Sequence, residues 1–266
     1  MDLQLSEKRA LVTGSTSGIG EQIAKTLAAE GASVIIHGRR ESEAWRVVQS
    51  ITDTGGKAAV AVGDLGSDDE AARVVEASLS AFGGIDILVN NAGAFPMKDW
   101  LETTADEWNS LYNVNVASVV RLVTRLVPTM KERNWGRVIM LGSFLGPMPQ
   151  PFVANYGTTK MVNIEQAVSL AKALAGTGIT SNAVSPGPIR TPGMEAGTKE
   201  MMEAQGQKYD FNEFEASYVK ETHLPVGRLG SPTDIANAVA FLASPLADYI
   251  IGTNLRVDDG MMPTVN

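Results

Sequence analysis

The chain has 266 residues, with 22 Lys+Arg against 30 Asp+Glu, a formal net charge of −8, no cysteine and two histidines. The acidic balance argues against nucleic acid, which needs a basic footprint, and against an anionic membrane surface. Composition excludes disulfides, thiolate metal sites and a histidine-rich zinc site; with no signal-peptide core and no membrane-length apolar run, the expectation is a cytoplasmic, metal-free chain.

Residues 10–13 form a short apolar run of the buried-strand kind and lead into a glycine-rich turn, Gly14-Ser15-Thr16-Ser17-Gly18-Ile19-Gly20. Ile19, Ile23 and Leu27 then recur at helical spacing until Gly31. A strand, a glycine turn and a helix start place free N–H groups and a positive dipole where a diphosphate can approach the backbone. The plainer alternative is an ordinary tight turn. Residues 32–36 predict a second strand. In a dinucleotide fold its end faces the adenosine ribose, where an acid binds the 2′-hydroxyl and an arginine accommodates a 2′-phosphate. Here the order is His37-Gly38-Arg39-Arg40, with no acid before Glu41. The guanidiniums of Arg39 and Arg40 therefore favour NADP(H) over NAD(H), the alternative being a solvated basic pair at a helix start.

A helix follows with Trp45, Val48 and Ile51 on one side, and Gly55-Gly56 turns the chain. Residues 58–62 predict a third strand ending at Asp64-Leu65, where Asp64 either caps a helix starting near Ser67 or meets an adenine amino group. A fourth strand, 85–89, runs into Asn90-Asn91-Ala92-Gly93 at the carboxyl ends of the strands, where such folds bind ligands. Residues 103–133 read as helical, with Trp108, Leu111, Val114, Val119 and Leu122 as core positions and Asn115 as a polar exception. A fifth strand, 138–141, leads to Ser143.

The helix predicted over 152–175 carries Tyr156 and Lys160 four residues apart, on one face. A nearby ammonium favours phenolate, so Lys160 is expected to lower the Tyr156 pKa towards neutrality and let it exchange a proton with an alcohol oxygen. Ser143 could meet that oxygen from the other side. A sixth strand, 179–184, ends in Pro186-Gly187-Pro188-Ile189-Arg190-Thr191. Residues 190–224 are polar, methionine-bearing and only partly helical, and are expected to form a substrate lid. A helix over 232–242 and a strand over 253–257 follow. Strands and helices alternate throughout, which predicts a single α/β domain over 1–266. Its core is a Rossmann-type doubly wound parallel sheet of about seven strands with helices on both faces.

Taken together these residues resemble the classical short-chain dehydrogenase/reductase family over nearly the whole chain. Thr13-Gly14-x-x-x-Gly18-Ile19-Gly20 is similar to its cofactor turn, and Asp64 to its adenine-side acid. Asn90-Asn91-Ala92-Gly93 is similar to its sheet-stabilising motif, Asn115 to its helix asparagine, and Ser143, Tyr156 and Lys160 to its catalytic set. Pro186-Gly187 and Thr191, with Ile189 between them, resemble the segment that meets the nicotinamide carboxamide.

The resemblance implies that Tyr156 is the acid/base and that Lys160 tunes it and binds the nicotinamide ribose. It implies that Ser143 steadies the substrate oxygen and that Asn115 holds a water linking Lys160 to solvent. Ser15, Thr16, Ser17, Leu65, Asn91, Ala92 and Gly93 would line the cofactor. Ser15, Thr16 and Ser17 are neutral where NADP-preferring members often carry a basic residue, and Val257-Asp258-Asp259-Gly260 departs from the usual Asp-Gly-Gly ending. The implied function is an NADPH-preferring ketone reductase, nearest in look to the 3-oxoacyl-thioester reductases, working as a homotetramer or dimer on a small-molecule carbonyl or alcohol. An NAD-dependent dehydrogenase of a secondary alcohol or sugar and a non-catalytic dinucleotide sensor are the alternatives. Phe95, Met97, Phe144, Met148, Phe152, Pro188 and Met194 suggest an apolar mouth, the alternative being that several of them are core or loop packing. Lys199, Lys208, Lys220 and Arg228 are scattered among acids, which disfavours docking of an acyl-carrier protein.

Overall fold

The computed structural model describes residues 1–262. Seven parallel strands lie in the order β3-β2-β1-β4-β5-β6-β7. They are β1 (Arg9–Val12), β2 (Ser33–Gly38), β3 (Lys57–Val62), β4 (Ile87–Asn90), β5 (Gly136–Leu141), β6 (Ile179–Pro186) and β7 (Asn254–Val257). The central strands are near-continuous apolar runs because both faces of a parallel sheet are covered by its crossover helices. Val12, Val89, Ile139 and Val184 point to one face. There they meet α1 (Gly18–Ala29), α2 (Glu41–Thr52) and α9 (Pro232–Ala243). Leu11, Leu88, Val138 and Ala183 point to the other, against α3 (Asp68–Phe82), α5 (Ser118–Glu132) and α6 (Ala154–Ala173). Each fully buried Leu, Ile or Val contributes roughly 1.5–3 kcal/mol, so two such layers hold the sheet between them.

From β1 the chain winds to β2 and β3 on one side and crosses to β4 on the other. The carboxyl ends of β1 and β4 therefore border the crevice at the switch point of the sheet, where doubly wound folds take ligands. The stretch expected as one helix over 103–133 is two helices joined by a π-turn. α4 (Ala105–Tyr112) starts on a Thr104/Glu107 capping box, and the π-turn at Asn113–Ala117 leads into α5. Trp45 turns out to be exposed while Val48 and Ile51 are buried. Trp108 is only partly buried and stacks edge-on against Trp100, with centroids 4.9 Å apart. Residues 190–224 are more helical than expected. α7 (Pro192–Ala204) and α8 (Phe211–Thr222) enclose a small apolar cluster of Phe211, Leu224 and Leu229.

Candidate active site

One rim of the crevice is the glycine turn. Gly14 and Gly18 take φ of +62° and +56°, which disfavour any side chain. Gly20 is required for space: a Cβ there would lie 2.3 Å from the Gly14 carbonyl oxygen and 2.4 Å from Asn91 Nδ2. Asn91 Nδ2 donates to the carbonyls of Thr13 (2.9 Å) and Gly14 (3.1 Å). Thr13 Oγ1 accepts from the backbone N–H groups of Asn91 (3.0 Å) and Ala92 (2.9 Å). The ends of β1 and β4 are thus laced together. The Asn91 amide serves the turn rather than a ligand, as its sheet-stabilising reading anticipates.

Ser15 corrects the expectation of a cofactor contact. Its hydroxyl is fully buried, accepts from His37 N (2.9 Å) and donates to the Val12 carbonyl (2.7 Å), while Ser15 N donates to the His37 carbonyl (2.9 Å). Ser17 occupies the N-cap of α1 in extended backbone, yet its hydroxyl makes no capping bond. In α3, α4, α7, α8 and α9, by contrast, Ser67, Thr104, Thr191, Asp210 and Ser231 all accept from the first turn. The opening N–H groups of α1, around Gly18, Ile19 and Gly20, are left uncapped beside the crevice, the arrangement that suits a diphosphate.

His37, which the sequence marks only as a missing acid, is buried at the end of β2. Its Nδ1 accepts from Gly14 N at 3.1 Å and its Nε2 lies 3.2 Å from the Gly63 carbonyl oxygen. Burial pushes its pKa down to about 4, so the ring is neutral. Arg46 of α2 donates to the Thr16 carbonyl (2.8 Å) and pairs with Glu21 (2.7 Å), so a basic side chain does reach the neutral turn, from outside. Neither residue carried a sequence signal, because each acts across elements.

Arg39 and Arg40 are both exposed, and among the described residues no hydrogen bond or ion pair engages the Arg39 guanidinium. Asp64 is exposed, and its Oδ1 accepts from Gly66 N (2.8 Å). The cap of α3 is Ser67, so the capping alternative for Asp64 falls. Leu65 is buried against α3 and α5, and its side chain serves the core.

The other rim is built by the loop after β5 and the start of α6. Lys160 is buried, lies 5.6 Å over the Tyr156 ring centroid and donates to the Leu141 carbonyl (2.8 Å). Ser143 is buried, accepts from Leu145 N (3.2 Å) and lies beside the Tyr156 hydroxyl, whose pKa it acts to lower. Sequence and structure part on the electrostatics. Burial pushes the phenol up to about 12, outweighing the lowering by Ser143, and pulls the Lys160 ammonium down to about 8. Both groups are taken out of water, and the ammonium is bonded to a carbonyl rather than to the phenol oxygen, so desolvation wins over attraction.

Asn115 is fully buried, and its side chain is tied to the loop after β4 and to α6. Oδ1 accepts from Ala94 N (2.8 Å), and Nδ2 donates to the Ala94 carbonyl (3.0 Å) and to Thr159 Oγ1 (3.0 Å). It fixes the π-turn against the loop after β4. Gly93 packs here too, since a Cβ on it would be 3.1 Å from Asn115 Oδ1 and 3.7 Å from Lys160 Nζ.

Phe95 stacks edge-to-face on Tyr156, with centroids 4.6 Å apart and planes at 81°, while remaining 52% exposed. Phe152 and Met97 are also exposed, and Lys98 N donates to the Phe152 carbonyl (2.9 Å), tying the two loops. Phe144 and Met148 are partly buried in the loop after β5. Met194 instead packs on the Phe211 cluster, which withdraws it from the mouth. At the end of β6, Pro186 closes the strand. Gly187 packs against β7, where a Cβ would be 2.8 Å from Asp258 Cα, and Ile189 joins the core. Thr191 caps α7 and stands 3.7 Å from a Cβ position on Gly18, so the β6 loop reaches across to the glycine turn. Among the described residues no cluster of His, Cys, Asp or Glu could hold a metal, and no helix is long and apolar enough to cross a membrane.

Residues 14–262 match the family model described as enoyl-(acyl carrier protein) reductase. The uncharacterized oxidoreductase YvrD of Bacillus subtilis is 38% identical over 98% of this chain and 99% of its own. The 3-oxoacyl-[acyl-carrier-protein] reductase FabG of Vibrio cholerae is 37% identical over 97% of this chain and 99% of its own. The crystal structure of L-sorbose reductase from Gluconobacter frateurii, complexed with NADPH and L-sorbose, superposes over 100% of both chains with a TM-score of 0.94 at 33% identity.

Proposed function

Since the chain belongs to the short-chain dehydrogenase/reductase family of NAD(P)-dependent oxidoreductases, we propose that it is an NADPH-preferring reductase of an apolar ketone. The observation that carries this reading is the juxtaposition at one crevice of Ser143, Tyr156 and Lys160 with an uncapped helix N-terminus and an unengaged arginine. The residues fit the dinucleotide: the opening N–H groups of α1 would hold its diphosphate, Arg39 its 2′-phosphate, and Thr191 would border its nicotinamide end. Asp64 would meet the adenine.

A bound nicotinamide supplies the hydride that reduces the carbonyl carbon. Tyr156 gives its proton to the carbonyl oxygen. With its pKa at about 12 the phenol is protonated at neutral pH, the form that reduction needs. Ser143, beside the phenol, donates to the same oxygen and steadies the charge that develops on it. Lys160, held near 8, is close enough to neutrality to return a proton to the tyrosine. Both Asn115 amide hydrogens are used within the protein, so a water linking Lys160 to solvent would meet Asn115 through an acceptor, its Oδ1 or the π-turn backbone.

The half-exposed Phe95 on Tyr156, with Phe152 and Met97 beside it, supports an apolar substrate. Lys199 pairs with Glu203 and Arg228 with Asp234, which argues against either serving an acyl-carrier protein. The likeness to a sorbose reductase supports a second reading, reduction of a ketose. Both readings are tested by following nicotinamide absorbance with NADPH and NADH against aryl and cyclic ketones, 3-oxoacyl thioesters and L-sorbose. NADPH well ahead of NADH on the apolar ketones is expected. Arg39→Ala should erase about tenfold or more of that preference. An unchanged preference would remove Arg39 from phosphate recognition, and turnover of L-sorbose alone would replace the apolar substrate.

A further inference from the structure

His37 is bonded to the glycine turn through both its backbone and its ring. Its backbone N–H takes Ser15 Oγ and its carbonyl takes Ser15 N, both at 2.9 Å. Its ring Nδ1 takes Gly14 N at 3.1 Å, and its Nε2 lies 3.2 Å from the Gly63 carbonyl oxygen just past β3. The assignment of the ring is forced by its partners. Gly14 N–H can only donate and Gly63 C=O can only accept, so the proton sits on Nε2 and the lone pair on Nδ1 faces the turn. The next residue, Gly38, leaves room for Thr16, since a Cβ there would lie 2.5 Å from Thr16 Cγ2. The end of β2 therefore seats residues 14, 15 and 16 in sequence. The N–H groups of Gly14 and Ser15 are used inward, and those that open α1 remain for an anion.

We propose that His37 is a positioning residue for the dinucleotide: its Nδ1 lone pair holds the Gly14 N–H, fixes the left-handed Gly14 turn and so aims the α1 N-terminus at the diphosphate. The inference rests on the reading that the crevice takes a nicotinamide dinucleotide. It differs from the role given to Arg39, because a splint on the turn serves the diphosphate, which NADPH and NADH share. Without the lone pair a part-buried donor is left unmet and the turn must be ordered on binding, a loss borne equally by both cofactors.

The test uses the full chain and two variants, His37→Leu and His37→Asn. The asparagine carbonyl can occupy the Nδ1 position, also one bond beyond Cγ, and stops short of Gly63. Dissociation constants for NADPH and for NADH are measured by quenching of tryptophan fluorescence, and kcat is measured at saturating dinucleotide. His37→Leu should weaken both cofactors alike by roughly tenfold or more, with their ratio and kcat unchanged, and His37→Asn should restore most of the affinity. Native affinity in His37→Leu, equal weakness in His37→Asn, or a change in the NADPH/NADH ratio would overturn the role. If His37→Leu does not fold, imidazole nitrogen NMR of the native protein decides: a pyridine-type Nδ1 coupled to the Gly14 amide supports the splint, and a protonated Nδ1 overturns it. An Arg39→Ala variant with unchanged cofactor preference would sink the Arg39 reading and leave this one standing. Failure of the native protein to bind either dinucleotide would sink both.

Discussion

The rim made by β1, β2 and the start of α1 and the rim made by the loops after β4 and β5 border one crevice and are built by opposite means. On the first, nearly every polar group is answered within the protein: Thr13 and Asn91 lace two strand ends, Ser15 is turned inward, and His37 braces the turn. The α1 N-terminus and the Arg39 guanidinium are left open. On the second, Ser143, Tyr156 and Lys160 are held by few bonds and strongly desolvated, beneath aromatic side chains half open to solvent. On the function proposed above, the difference is one of task. A rim that receives a constant ligand gains from being fixed beforehand, whereas a rim that moves protons gains from groups whose charge is costly to hold.

The largest effect should come from the proton-moving rim. Tyr156→Phe keeps the ring that Phe95 packs on and removes the acid. It should lower kcat by ~10²–10⁴-fold with dinucleotide affinity nearly intact, as stopped-flow turnover and binding titrations together would report. Near-native turnover would erase the contrast between the rims.

Next in size is the charge on Lys160. Its folded pKa of about 8 lies below its ordinary 10.5, so between those values the unfolded chain holds a proton that the folded chain has lost. Stability should therefore rise with pH across that window, by roughly 3 kcal/mol in full. Lys160→Met should flatten that rise, which urea melts at pH 7.5 and 10.5 would reveal. A rise that persists in the variant would assign it to other groups.

The smallest effect should be at the mouth. Phe95→Ala removes an exposed aromatic and should raise KM for apolar ketones about three- to tenfold, at a cost near 1 kcal/mol, while leaving KM for NADPH unchanged. An equal rise in both constants would mean that the rims are mechanically one.

The alternation of strands and helices and the helix face shared by Tyr156 and Lys160 were legible in the sequence, because apolar periodicity and short spacings are local. Tyr156 and Lys160 share a helix face, and Ser143 follows a strand end, so proximity needs no knowledge of packing. What escaped depends on contacts between distant elements. His37 acts through residues 23 and 26 positions away, and Arg46 through residues 25 and 30 away. The sign of the Tyr156 shift escaped too, because spacing reports that a lysine is near but not how dry the site is. Trp45 lies outside the core and Met194 belongs to the α7–α8 cluster for the same reason: which side of a helix is covered is decided by its neighbours.

The crowding at Gly20 has a consequence for anyone who would move this turn to another scaffold. The missing side chain faces a carbonyl from its own turn and an amide from beyond β4, so the seven residues from Gly14 to Gly20 are not a cassette. The transferable unit is discontinuous in sequence. It takes in Thr13 and Asn91 with the glycines, and a graft that carries the glycines alone would import the vacancy without the group that fills it.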